Sequence, residues 1–148
     1  MSGAVDPRAT QPFDPERFMK LLRHIGHGGA LGIDYHDHGD DWIELSLPYS
    51  EELVGVTESG ILASGPIISL MDMATSMAIW LRLSRFRPQA TLDLRVDYLR
   101  PARPGQTIVG RGECYGTTKS IGFVRGLAHD GDQADPIAHV SGTFMFTD

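Results

Sequence analysis

Hydrophobic positions change their spacing along the chain, and each change marks an element. Asp14-Pro15-Glu16 reads as a helix start, with the acid as N-cap and proline at the first helical position. Phe18, Leu21, Leu22 and Ile25 give that short helix an apolar face, and the glycines from Gly26 to Gly29 end it. Leu31, Ile33 and Tyr35 then alternate with smaller or polar residues. A polar turn, His36 to Asp41, leads to Ile43, Leu45 and Leu47, which alternate with Trp42, Glu44 and Ser46, so the segment predicts a hairpin. A loop from Pro48 to Gly60 precedes a long apolar helix over about Pro66 to Leu83.

After Arg87-Pro88 the period falls from 3.6 to 2. Leu92, Leu94, Val96 and Tyr98 face one way, while Thr91, Asp93, Arg95 and Asp97 face the other. Pro101 to Gly105 turns the chain into a strand near Thr107 to Tyr115, and Gly116 to Lys119 turns it again. Strands over Ile121 to Ala128 and Ile137 to Phe146 follow, separated by a polar loop from His129 to Pro136. Tight turns between these strands require antiparallel neighbours. An antiparallel sheet with one apolar face needs a cover, and only one long helix is at hand. The expectation is an α+β domain over residues 14–148 whose sheet wraps that helix, behind a flexible N-terminal tail over residues 1–13.

Asp72 is out of place in this pattern. Leu70, Met71, Met73, Ala74, Met77 and Ala78 surround it, and a lone carboxylate buried among them would cost several kcal/mol or take up a proton. Ser69, Asp72 and Ser76, with Thr75 nearby, form a narrow polar stripe at helical spacing. Such a stripe faces a pocket, a subunit interface or water. Ser64, Gly65 and Pro66 at the helix start leave backbone N–H groups free near the positive end of the dipole. Donors of that kind beside one acid suit acyl transfer, in which the donors hold an oxyanion and the carboxylate acts as base or nucleophile.

Composition narrows the classes. A formal net charge of −6 leaves no basic excess for nucleic acid. One cysteine, Cys114, forms no internal disulfide and sits in a strand, where packing explains it. The start of the chain lacks a signal-peptide pattern, so a cytoplasmic location is expected. The stretch Ile61 to Leu81 is about long enough to cross a bilayer, but Gly65-Pro66 interrupts it and Asp72 lies near its middle, so a buried core helix is the better reading. Asp34 to Asp41, with His36 and His38, has the residue types of a metal site; a polar hairpin tip explains them without a metal. His24, His27, His129 and His139 complete no set, and no serine sits in a nucleophile elbow.

The run GILASGPIISLMDMA, with Gly60, Gly65, Leu70, Asp72 and Ala74, resembles the helix signature of hotdog-fold acyl-coenzyme A thioesterases, the phenylacetate-degradation branch in particular. LDLRVDYLRPARPG resembles that family's strand and turn after the helix, and GTTKS and AHVSGTFMF resemble its closing strands, so the likeness covers about Ala30 to Phe146. The resemblance implies a hotdog fold and a site between two subunits, in a homodimer or a dimer of dimers. Its substrate would be an acyl- or aryl-acyl-coenzyme A, with coenzyme A as part of the substrate and no further cofactor. Asp72 would activate water or attack the thioester, and the N–H of Ser64 or Gly65 would polarise the carbonyl. Family members place Asn and His where this chain has Thr57 and Ala63. Thr57, from across the interface, would then orient the water, and a strand hydroxyl used by some members maps to Thr91. For the coenzyme A phosphates the positions on turns are Arg100, Arg103, Lys119 and Arg125, with Thr117, Thr118, Lys119 and Ser120 supplying backbone donors. Loss of the family Asn and His motivates a second reading, a catalytically weak or inactive module that binds an acyl thioester or another apolar ligand.

Overall fold

The computed structural model describes residues 11–148. Two short helices open the chain, α1 (Pro15–Leu22) and α2 (Gly26–Leu31), followed by β1 (Asp34–His38) and β2 (Trp42–Leu47). A small hairpin, β3 (Val54–Val56) and β4 (Ile61–Leu62), leads into the long helix α3 (Ser64–Leu83). The strands β5 (Gln89–Tyr98), β6 (Ile108–Thr117), β7 (Ile121–His129) and β8 (Ala138–Phe146) complete the chain. The main sheet is antiparallel, in the order β1-β2-β6-β7-β8-β5, and it curls around α3. This is the hotdog arrangement that the resemblance implies.

The wrap works because the sheet gives up side-chain volume where the helix crosses it. A Cβ added at Gly112 of β6 would lie 2.6 Å from the carbonyl carbon and oxygen of Ala74, so glycine lets the helix backbone rest on the strand. Around that contact Leu70, Met71, Met77, Ala78 and Ile79 of α3 are buried with Ile43, Leu45 and Leu47 of β2 and with Val124 and Phe144. Each fully buried Leu, Ile or Met of this set contributes roughly 1.5–3 kcal/mol. Cys114 belongs to the same core; burial pushes its thiol up from the ordinary value, which suits packing and not nucleophilic attack. Among the described residues no helix is long and apolar enough to cross a membrane.

The N-terminal region differs from the sequence reading. Gly26 to Gly29 does not merely end a helix; it begins α2, which closes at Gly32 in the left-handed region (φ +76°). Glycines are poor helix formers, but a Cβ at Gly28 would come within 2.5 Å of the Met73 methyl, so the weak helix is held by close seating on α3. Leu31 therefore lies in a helix, and β1 starts only at Asp34. The expected apolar face of α1 also shifts: Met19 is buried, whereas Leu21 and Ile25 are exposed. Phe13, assigned to the tail by composition, packs its ring edge-on against Phe18 and Trp80; residues 1–10 of the expected tail lie outside the described residues.

Candidate active site

Asp72 lies midway along α3 and is half-buried. Its carboxylate is held by Thr91, whose Oγ1 donates to Oδ1 at 2.7 Å. Strict alternation along β5 turns Thr91 away from the face carrying Leu94, Val96 and Tyr98. The strand breaks that alternation with a bulge at Leu92: Thr91 pairs with Phe144, a core-facing residue of β8, while Asp93 pairs with Thr143 on the outer face. The extra residue reverses the phase. Gln89 and Thr91 therefore share the helix-facing side with Leu94 and Val96, and Gln89 Nε2 donates to the Ser76 carbonyl at 2.8 Å.

The acid opens into a cavity of about 310 Å³ between α1–α2 and α3. Ser69, Ser76 and His27 stand with it, and His27 Nε2 is 2.8 Å from Ser69 Oγ. Local spacing offers no reason to pair His27 with Asp72; only the seating of α2 on α3 brings the imidazole there. Thr75 leaves the stripe, since it is fully buried and donates its hydroxyl to the Met71 carbonyl at 2.7 Å.

The helix start lies elsewhere. Ala63 precedes α3 in an extended conformation with no side-chain cap, and among the described residues the N–H groups of Ser64 and Gly65 have no protein acceptor. Tyr98 Oη donates to the Ser64 carbonyl at 3.1 Å and ties this end to β5. Ser64 and Tyr98 line a separate cavity of about 360 Å³. Thr57, in the turn after β3, lines a third of about 370 Å³ with Tyr49, Glu51 and Gly60. Ser64 and Asp72 are eight helical residues apart, about 12 Å of axial rise, whereas base and oxyanion donors must each lie about 3 Å from the reacting atoms. A single chain thus holds the two halves of the expected site in different places.

The positions assigned to coenzyme A phosphates are mostly occupied by the protein's own groups. Arg100 Nη2 and Arg103 Nη1 reach Asp130 Oδ1 at 2.7 and 2.8 Å, and Arg103 Nη2 reaches Asp135 at 2.9 Å. The hydrogen bond from Arg100 is the main cause that holds the buried Asp130 carboxyl at about 2, and the same contact raises the arginine. These arginines pin the loop after β7 to the turn after β5. In the β6–β7 turn, Thr118 Oγ1 accepts from the N–H of Ser120 and Ile121 at 3.3 and 3.0 Å, so those donors are spent within the turn. Thr117 ends β6 and is half-buried, while Lys119 is exposed with its carbonyl taken by Arg87 Nη2 at 3.2 Å. Arg125 Nη2 pairs with Glu113 at 3.0 Å. At the β1–β2 tip His38 meets Tyr35 and His36 meets Glu44.

A family model described as the thioesterase superfamily matches residues 59–137, from the turn between β3 and β4 to the residue before β8. The chain belongs to the thioesterase superfamily. The matched span carries the helix start, Asp72, Thr91 and the β6–β7 turn. Among relatives of the superfamily chain, the medium/long-chain acyl-CoA thioesterase YigI of Escherichia coli is 30% identical over 117 residues, covering 68% of each protein. A crystal structure of a Pseudomonas aeruginosa protein shares 38% identity at a TM-score of 0.77, covering 90% of this chain and 96% of that one. The PaaI protein of the Escherichia coli phenylacetic acid degradation operon shares the fold at a TM-score of 0.74 and 16% identity, covering 90% and 94%. Membership of this superfamily supports thioester hydrolysis as the general chemistry of the chain.

Proposed function

We propose that this thioesterase-superfamily protein hydrolyses an acyl-coenzyme A to the free acid and coenzyme A. The observation that carries the reading is Asp72, an acid on an otherwise apolar helix, held by Thr91 and open to a cavity with apolar walls. In the proposed step Asp72 takes a proton from water as the water oxygen attacks the thioester carbon. The oxyanion is held by the N–H groups of Ser64 and Gly65. The carbon–sulfur bond then breaks, and the departing sulfur takes the proton from Asp72. The name of the relative YigI supports a chain-type acyl group as the substrate. Lys119, exposed on its turn, is the cation of the expected set best placed to meet phosphate, because Arg100, Arg103 and Arg125 are paired with acids.

The separation of Asp72 from Ser64 supports a composite site built by two copies, the acid from one and the helix start from its partner. β5 is an edge strand of ten residues, and among the described residues no strand pairs with its free side. Leu92 and Tyr98 on it, and Leu99 just after it, are exposed, and a long unpaired strand edge is normally covered. In the composite site Thr57 of the helix-start copy would orient the attacking water.

The test uses two variants. Asp72→Asn removes the base. Ser64→Pro removes one N–H where proline is accepted, since Ser64 is the first helical residue and Ala63 is already extended at ψ 156°. Each variant alone should lose about 10²–10³ in kcat. Refolded together, half of the dimers would be mixed and each would hold one intact site of two, which restores about a quarter of the activity. No rescue, with both variants dimeric, would refute the composite site; unchanged turnover in Asp72→Asn would refute the mechanism. Binding of an acyl-coenzyme A without thiol release would instead favour the non-catalytic module suggested by Thr57 and Ala63.

A further inference from the structure

The cavity at Asp72 is elongated along one face of α3. Its lining on that helix runs from Ser69 to Trp80, which is about 16 Å of axial rise. Polar demand is confined to one end. Ser69 and His27 bond each other there, beside Asp72, while Ser76 spends its hydroxyl on the Met73 carbonyl at 2.9 Å. Beyond that point the walls are Leu22, Met73 and Met77, and Phe18 and Trp80 close the far end.

That end is rigid. Trp80 Nε1 donates to the Arg87 carbonyl at 2.8 Å, and the indole is packed by Phe13, Phe18 and Phe86 at centroid distances of 5.3, 5.4 and 4.7 Å. The side walls are soft by comparison, since methionines accommodate a flexible chain in more than one arrangement. A bulky aryl acyl group would fill the mouth near Asp72 and leave the rest of the slot empty.

We infer that the slot between α1–α2 and α3 takes an unbranched acyl chain of up to roughly ten carbons, and that Phe18 and Trp80 set this limit. The inference rests on the thioesterase reading, which puts the thioester carbonyl at Asp72 and the acyl chain in the space that leads from it. Asp72 and Trp80 are eight residues apart, about 12 Å along the axis. An extended chain advances about 1.2 Å per bond, as the extended polypeptide does over its three bonds per residue. The slot therefore accepts about ten bonds before the indole stops it.

The experiment has two arms. In the first, hydrolysis of coenzyme A thioesters of even chain length from butyryl to palmitoyl, and of phenylacetyl-coenzyme A, is measured for the wild type, Trp80→Ala, Phe18→Ala and Trp80→Phe. In the wild type kcat/KM should rise by up to about fourfold per methylene, the value for full burial, and fall once the chain exceeds the slot. The maximum should move at least two carbons longer in both alanine variants and stay in place in Trp80→Phe. In the second arm Trp42→Phe leaves Trp80 as the only tryptophan of the chain's two. Non-hydrolysable S-alkyl-coenzyme A thioethers are titrated, and a decyl chain should shift the Trp80 emission where a butyl chain does not. An unmoved maximum in Phe18→Ala, a preference for the phenylacetyl ester, or emission indifferent to chain length would overturn the assignment. Failure of every ester to hydrolyse would overturn the thioesterase reading instead, and the thioether arm still decides who occupies the slot.

Discussion

Thr91→Val isolates the contact that places the acid. Valine matches the shape of threonine and keeps its β-branching, so the bulge at Leu92 and the pairing with Phe144 should persist. The variant loses one hydrogen bond to a carboxylate, an interaction worth about 1.5–3 kcal/mol where water is excluded. Thr91 is exposed and Asp72 half-buried, so water replaces part of it and the lower end of that range applies. About 1.4 kcal/mol corresponds to a tenfold fall in kcat. KM should change little, because the hydroxyl faces the acid and not the cavity walls. The assay is coloured release of the free thiol from a saturating acyl-coenzyme A, with Thr91→Ser beside it to restore the donor. A double-mutant cycle adds the decisive comparison: in the Asp72→Asn background Thr91→Val should cost almost nothing further. Equal losses from valine and serine, or a full tenfold loss on top of Asp72→Asn, would refute the idea that Thr91 acts through the carboxylate.

Two stability predictions follow from packing and charge. Gly112→Ala puts a methyl 2.6 Å from the Ala74 backbone, which cannot rotate aside, so overpacking of about 3 kcal/mol should lower the melting temperature by roughly 6–10 °C for a domain of this size. Gly116→Ala in the same strand meets nothing within 4 Å and should melt within about 2 °C of wild type. Asp130, held at about 2 against an ordinary 3.8 chiefly by Arg100, contributes stability that is fully present above the ordinary value and is lost as pH falls towards 2. Urea midpoints should therefore drop between pH 5 and pH 2.5, and that drop should be smaller in Asp130→Asn. Breaking the buried pair should also cost that variant about 3 kcal/mol at pH 7.

Much of this was written locally in the chain. The central helix needed only a sustained apolar run with a proline in its first turn, and the structure extends it by the two residues Ser64 and Gly65. The late strands needed only period-2 alternation, and they ended within two residues of where that alternation stops. Asp72 stood out because hydrophobic burial and a carboxylate conflict within a single turn of helix, a conflict visible without any coordinates. The glycines of α2 misled, because helix propensity counts against them while the close approach of Gly28 to Met73 exists only once α3 lies beneath. The bulge at Leu92 was equally hidden: alternation assigns Thr91 to the wrong face, and only pairing with β8 inserts the extra residue that turns its hydroxyl to Asp72. Tertiary structure likewise decided that Arg100 and Arg103 serve Asp130, that His27 joins the cavity, and that Asp72 and the helix start open into different spaces. Local sequence carries what one element needs in order to form; which side chains then meet depends on register, bulges and crossing points, and those are settled only when elements distant in the chain pack together.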